Sequence, residues 1–483
     1  MIDFLQNAWP LVAGVLTVIL TVIASAHAVL HKRDVRAAVG WVGLILLVPF
    51  FGAVIYLLLG VNRIRRRATQ LRREQLRLRA STEELSIERR RLTEILPPGS
   101  QHLAALGELV DRVTQVPLRV GNQVDPLING DEAYPAMIEA INAAETSVAL
   151  CTYIFDNDLA GQMFADALSD AHQRGVLVRI LIDAVGAWYS WPPIVRSLRK
   201  RNIPVARFLH SALPWRMPYI NLRSHRKILV VDGITGYTGG LNIRTAHIIK
   251  NNTRSPVQDV HFRVRGPVVE HMMHVFAEDW LFSRKERLEG DAWFPPLEPV
   301  GPVVARGIAD GPDVDLDKLR WAILGALARA KSRVRIVTPY FLPDQTLITS
   351  LNVASMRGVA VDIVLPSVNN LPYVAWAANA QLWQVLARGC RVFYTPAPFD
   401  HSKIMVVDGA WSLIGSANWD PRSLRLNFEF NLECYDTALA SVLEQIIDLK
   451  LEGARELTYE EVQSYGTLRR LRDGIFRLAA PYL

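Results

Sequence analysis

The chain has 483 residues, half of them hydrophobic, and a formal net charge of +7, so it can bury the cores of two or three ordinary domains. Its three cysteines, Cys151, Cys390 and Cys434, are too few and too scattered for a disulfide framework or a zinc site. Each sits in or beside an apolar run and reads as a small buried hydrophobe.

In chain order, the first feature is a charge-free stretch between Asp3 and Lys32, with residues 9–30 mostly apolar (WPLVAGVLTVILTVIASAHAVL). A second charge-free run covers residues 37–61. A bilayer core needs ~20 apolar residues per helix, so two transmembrane or membrane-embedded helices are expected over residues 1–62, the second kinked at Pro49. A cleaved signal peptide fits poorly, because no Lys or Arg precedes the first run and a second run follows at once. Residues 62–91 then hold eleven Arg against four Glu, an excess equal to the net charge of the whole chain. The rest is therefore near neutral. Residues 63–100 read as a basic juxtamembrane linker that favours anionic lipid headgroups over a nucleic-acid groove, or simply as a solvated helix that sets topology. The positive-inside rule places this flank, and everything after it, in the cytoplasm. The connector between the two runs (Lys32, Arg33 and Arg36 against Asp34) is basic as well, which a short hairpin held at the interface accommodates.

The remainder is duplicated. SHRKILVVDGITGYTGGLN carries His225, Lys227 and Asp232, then Gly239, Gly240 and Asn242. PFDHSKIMVVDGAWSLIGSANWD carries His401, Lys403 and Asp408, then Gly415, Ser416 and Asn418 at the same offsets. The likeness extends upstream: ETSVALCTYIFD matches KSRVRIVTPYFL, and RGVLVRILID matches RGVAVDIVLP. Each copy reads strand, helix, strand, helix, strand, with the histidine on a late β-hairpin turned by Asp-Gly. The expected fold is α/β: two pseudo-symmetric sandwich halves, residues 101–288 and 303–455, joined by the proline-rich stretch 289–302 and preceded by the two membrane helices.

In each hairpin His and Lys share a strand face, since residues i and i+2 point the same way. Two His, two Lys and two Asn brought together suit a phosphodiester. Lysines and the amides of Asn242 and Asn418 can hold its non-bridging oxygens, with Gly240 and Ser416 beside them, while one imidazole attacks phosphorus and the other moves protons. Asp232 and Asp408 belong to the same catalytic frame, but their odd offset from Lys turns them to the opposite face, where they read as turn-fixing or salt-bridging groups. Each histidine needs a carboxylate to orient it. Glu429 is the candidate in the second half and Asp259 in the first. No carboxylate cluster calls for a metal, and no cofactor is expected.

These motifs resemble the phospholipase D superfamily, whose signature is a duplicated H-x-K-x(4)-D, and within it the bacterial cardiolipin synthase family. NLRSHRKILVVDG, GGLNI and DPRSLRLNFEFNLECYD carry the likeness, and it covers nearly the whole chain. It implies a multi-pass protein of the bacterial inner membrane with a cytoplasmic catalytic part. By the same resemblance, a phosphatidyl group passes from one phosphatidylglycerol to His225 and then to a second phosphatidylglycerol, giving cardiolipin and glycerol, with His401 as acid and base and no metal. The repeat leaves the order of the two histidines open. The membrane and anionic phospholipids are the expected partners, and nucleic acid is not one. A hydrolase using water, a nuclease and an inactive membrane scaffold are the competing functions.

Three further features stand apart. His271 and His274 have metal-like helical spacing without a third ligand, so packing is the simpler reading. The aromatic stretches 211–221 (Trp215, Tyr219) and 188–191 (Trp188, Tyr189, Trp191) read either as ordinary loops or as lips at a lipid interface. Residues 456–483 are expected to form an amphipathic C-terminal helix: from Tyr465 on they alternate basic and apolar side chains at near-helical spacing, which suits an interfacial helix or equally a plain helix docked on the second half.

Overall fold

A computed structural model of the chain describes residues 2–32, 35–60, 92–209, 222–251 and 253–479. The basic block 62–91 and the aromatic loop 211–221 lie outside the described residues. The chain divides into two compact units, of which the smaller holds the N-terminal helices.

In that unit a helix runs from Ile2 to His31, and its stretch Trp9–His31 is the one among the described residues long and apolar enough to cross a membrane. The second apolar run departs from expectation. Instead of one kinked span it forms two short helices, Val35–Leu47 and Pro49–Ile55, followed by a π-helical turn Tyr56–Gly60. The break falls at Val48, because the residue before a proline is pushed out of helical geometry. Beyond it the chain doubles back: a Cβ on Gly52 would lie 2.4 Å from the Leu44 carbonyl oxygen, so only glycine permits this approach. Ile45 and Ala53, one from each arm, bury with Ala24 and Ala28 of the first helix. Tyr56 stands against His27 and Trp41, and Lys32 Nζ donates to the Gly60 carbonyl at 2.6 Å. The run thus starts and finishes at the same end of the first helix. The longer arm has 13 residues, about 20 Å at helical rise, short of a bilayer core of about 30 Å.

The larger unit is α/β. Read outward from its centre, one side of the sheet runs Arg119–Ile128, Val260–Arg265, Thr235–Gly239, Ile228–Val231, Ser147–Thr152, Leu177–Asp183, Val205–Phe208. The other side runs Val303–Asp310, Asn427–Tyr435, Trp411–Gly415, Ile404–Val407, Arg333–Val337, Ala360–Pro366, Arg391–Thr395, with Arg455–Leu457 at the edge. The two series meet where Arg119–Ile128 pairs antiparallel with Val303–Asp310. The apolar runs of the repeat become the inner parallel strands, Ser147–Thr152 with Leu177–Asp183 and Arg333–Val337 with Ala360–Pro366. Helices on them start at aspartate caps: Asp158 accepts from Gly161 N at 3.0 Å, and Asp344 from Thr346 N at 2.9 Å. Each half has its own core, around Leu150, Ile180 and Phe164 in the first and Ile336, Ile363 and Leu351 in the second.

One boundary differs from the sequence reading. Leu92 and Leu96 precede the expected first half and Leu103, Leu106 and Val110 lie at its start, yet all five bury in the core of the second. The helix Ala104–Thr114, which carries Leu106 and Val110, packs on Lys318–Arg329, where Gly325 lets Leu106 and Leu109 approach.

Candidate active site

Each histidine stands just before a hairpin, Ile228–Val231 with Thr235–Gly239 and Ile404–Val407 with Trp411–Gly415. Asp232 and Asp408 have φ of 53° and 52°, and the glycines after them are positive too, at 68° and 60°. Positive φ at both central residues is the tight turn that Asp-Gly favours. Asp232 Oδ1 accepts from the backbone of Thr146 (2.8 Å) and Ser147 (3.0 Å). Asp408 accepts from the backbone of Lys331, Ser332 and Arg333 and from His102 Nε2 at 2.7 Å. Burial raises the proton affinity of Asp408, but these donors outweigh it and hold the carboxyl below its ordinary value. Both aspartates tie the turn to the start of the neighbouring strand, away from the histidines, as the odd offset implies.

The orienting carboxylates are exchanged between halves. Glu429, expected to serve its own half, holds His225: His225 Nδ1 lies 3.1 Å from Glu429 Oε2 and 3.1 Å from the Ser416 carbonyl. Asp259 of the first half holds His401, with Nδ1 to Oδ2 at 2.8 Å. The backbone enforces the crossing. His225 N donates to Phe428 O (2.9 Å), where Arg223–Ser224 runs parallel to Asn427–Phe428, and His401 N donates to Gln258 O (2.7 Å), where Phe399–Asp400 runs parallel to Val257–Gln258. Neither half is complete alone. The rings face each other with centroids 6.5 Å apart, and a proton on each Nδ1 leaves both Nε2 lone pairs available.

The other expected residues fall into two layers. Asn242 and Asn418 line the cavity between the histidines. Lys227 and Lys403 do not line it; each Nζ donates to the carbonyl of its own histidine, and Lys403 Nζ also lies 2.9 Å from His401 Nδ1. Gly240 and Ser416 are also absent from the lining, and each packs against a carboxylate instead. A Cβ on Gly240 would come within 2.4 Å of both Asp259 oxygens, while Ser416 Oγ donates to Glu429 Oε2 at 2.5 Å. Gly239 and Gly415, with φ of 145° and 152°, approach the backbone of the adjacent strand too closely for a side chain. His271 accepts from Gly307 N at 3.2 Å in the core, whereas His274 is part-exposed, against Phe294 and Glu270.

Burial dominates the electrostatics. It lowers His225 below the ordinary imidazole value, with Glu429 opposing and Lys227 reinforcing. His401 sits well below that value, because Lys403 and Lys227 add to the effect of burial. Lys227 is lowered to about 7 and Lys403 to about 8, again first by burial. Burial raises Asp259. It works the same way on Glu429, but His225, Lys227 and the Ser416 hydroxyl hold that carboxyl below its usual value. Two imidazoles of lowered proton affinity thus stand with two buried amines and two buried carboxyls.

The family described as "Cardiolipin synthase, PLD-like domain" matches residues 137–280 and 323–450, and "Phospholipase_D-nuclease N-terminal" matches residues 19–60. Cardiolipin synthase A of Pseudomonas fluorescens (strain SBW25) is 32% identical over 96% of this chain and 96% of its own length. The chain belongs to the cardiolipin synthase family of the phospholipase D superfamily. Cardiolipin synthase of Geobacillus kaustophilus (strain HTA426) is 31% identical over 94% of this chain and 90% of its own length. Among solved structures, phosphatidylserine synthase of Haemophilus influenzae Rd KW20 superposes with a TM-score of 0.63 over 78% of this chain and 100% of that one, at 16% identity, which shows a shared fold. With its apolar N-terminal helix, this member of the family is membrane-associated.

In this cardiolipin synthase-like site the histidines open into a cavity of about 610 Å³. Sequence reasoning missed several residues of its wall. Tyr153 and Tyr340 come from the aromatic pairs that mark the repeat, and each ring stands against one histidine, at 5.1 and 6.4 Å. Arg223 sits two residues before His225, on the same side of its strand. Arg244 and Asp420 both follow a site asparagine by two. Arg244 pairs with Asp156 at 3.1 Å, and burial raises Asp420 to about 6. The repeat itself was the signal for these positions; the difference in charge between them was not anticipated.

Proposed function

We propose that the chain makes cardiolipin from two molecules of phosphatidylglycerol, releasing glycerol. The observation that carries this is the facing histidine pair, each ring held by a carboxylate of the opposite half, in a chain of this family. The two halves act as pseudo-two-fold partners, residues 101–288 and 303–455, with a contribution from residues 92–114 to the second core. In the first step His225 Nε2 attacks phosphorus, the bond to the glycerol oxygen breaks, and His401 gives that oxygen a proton. In the second, His401 takes the proton of a primary hydroxyl on the second phosphatidylglycerol. That oxygen forms the new phosphorus bond and the phosphorus–nitrogen bond breaks, so proton and histidine both return to their starting state. The phosphodiester anion adds negative charge beside His401 and so raises it into its acid form. Lys227 and Lys403 stabilise the added charge from behind the cavity wall, while Asn242 and Asn418 contact it from the wall. Glu429, anionic and fixed by Ser416 and by Asn427 Nδ2 at 3.1 Å, supports His225 as the nucleophile.

The test is a product assay. Purified protein with acyl-labelled phosphatidylglycerol is expected to yield cardiolipin and free glycerol, with or without EDTA. Phosphatidic acid as the sole lipid product would mean that water is the acceptor and would replace this reading with a hydrolase.

The doubled-back second run supports a membrane arrangement with one span. The first helix spans the inner membrane, and the run of residues 35–60 dips in from the cytoplasmic face and returns, with no second crossing. The basic connector and the basic block are then both cytoplasmic, as the positive-inside rule asks, and so is the catalytic unit, which takes anionic phospholipid and no nucleic acid. Single cysteines placed at residues 33 and 62 should both react with an impermeant thiol reagent from the cytoplasmic side. Labelling of one from each side would restore two full spans.

A further inference from the structure

The C-terminal helix Thr467–Leu478 turns its apolar stripe outward. Leu468, Leu471, Ile475 and Leu478 are 84%, 58%, 56% and 82% exposed, at spacings of three, four and three that place them on one face. A helix that served only to cover the core would bury this stripe. Here docking uses another face: Phe476 meets Trp376 with ring centroids 5.0 Å apart, and Arg472 lies over the same indole at 4.6 Å. Phe476 packs against the cluster of Leu342, Val374, Ala377 and Ala378, of which Leu342 and Val374 also line the active-site cavity. Of the four arginines on the helix, Arg469 and Arg472 pair with Asp473, while Arg470 and Arg477 are exposed. From the first half, Trp188 and Trp191 stack at 6.2 Å while 60% and 72% exposed, next to Tyr189 of the cavity wall.

We infer that the outward face of Thr467–Leu478, with the Trp188–Trp191 pair, is a docking surface for an anionic phospholipid bilayer and seats the cavity mouth on the lipid from which the substrate is drawn. The charge of the helix selects the occupant. A protein partner for four exposed aliphatic side chains needs no surrounding arginines, whereas an anionic lipid surface pairs with both. The placement gives it a purpose: the helix is bolted to residues of the cavity wall, so its insertion fixes how the mouth meets the membrane. The inference rests on the lipid-substrate reading above.

Two measurements on the full chain test it. In the first, L468E, L471E, I475E and L478E are combined and turnover is compared on two substrates: short-chain phosphatidylglycerol dispersed as monomers, and long-chain phosphatidylglycerol in nanodiscs. The variant should keep the wild-type rate on monomers and lose roughly tenfold or more on nanodiscs. Equal rates on both substrates would overturn the docking surface. Failure of the wild type on both would instead sink the lipid reading. In the second, an environment-sensitive dye on Leu471→Cys should shift to the blue and be quenched by brominated acyl chains in phosphatidylglycerol nanodiscs. Emission as in water, or a blue shift that follows protein concentration without lipid quenching, contradicts the inference, the latter in favour of a second copy of this chain.

Discussion

His225→Ala and His401→Ala are each expected to reduce cardiolipin formation by about 10⁴-fold or more, and the double variant to fall no further than the weaker single. The reason is geometric. The rings face each other 6.5 Å apart, so one must form the bond to phosphorus while the other handles the glycerol proton. Removing either stops both half-reactions, since the same proton is given and taken back. Neither change should unfold the chain, because both rings border the cavity, whereas the hairpins are held by strand pairing and by the Asp232 and Asp408 turns. Steady-state rates on detergent-dispersed phosphatidylglycerol, with thermal melts of both variants, check this. Substantial turnover in either single variant would rule out the two-histidine mechanism.

The second large effect is at Glu429. Glu429→Gln preserves the shape of a fully buried side chain but removes the charge that orients His225 across the boundary between halves. A loss of about 10² to 10⁴ in kcat/KM is expected, in the range found when a histidine loses its orienting carboxylate. The pH profile separates this from a packing defect. Glu429 raises the proton affinity of both His225 and Lys227. The acid limb, where His225 becomes protonated and loses its lone pair, should therefore move to lower pH in the variant. The alkaline limb, where Lys227 at about 7 and Lys403 at about 8 lose their charge, should move down as well. Unmoved limbs with a reduced rate would mean that Glu429 only packs.

Much of this site was legible in the sequence because the repeat exposes it. Equal offsets from histidine to glycine and asparagine identified both hairpins, and period two placed His and Lys on one face with the aspartates opposite. What the repeat could not reveal was the partnership of the halves. Glu429 and Asp259 were found as orienting groups yet matched to the wrong histidines, because strand-to-strand bonds such as His225 N to Phe428 O lie outside any local pattern. The lysines were expected against the substrate, but period two gives a face and not a depth. The central strand Arg119–Ile128, with Asn122 and Pro126 and no apolar alternation, left no signal for its pairing with Val303–Asp310. Residues 92–110 crossed into the second core for a similar reason: a helix records which face is apolar, not which half covers it. In the N-terminal unit, Pro49 was visible as a kink, while the reversal depends on Gly52 meeting Leu44, a contact of shape alone.

The most direct measurement is to catch the covalent intermediate. Wild-type protein mixed with short-chain phosphatidylglycerol, quenched under alkaline conditions within one turnover and digested, should give a phosphatidyl adduct on the peptide containing His225. That adduct should be absent from His225→Ala. An adduct on His401 would reverse the two roles. Cardiolipin formed in the same reaction with no histidine adduct at any time would contradict transfer through the enzyme.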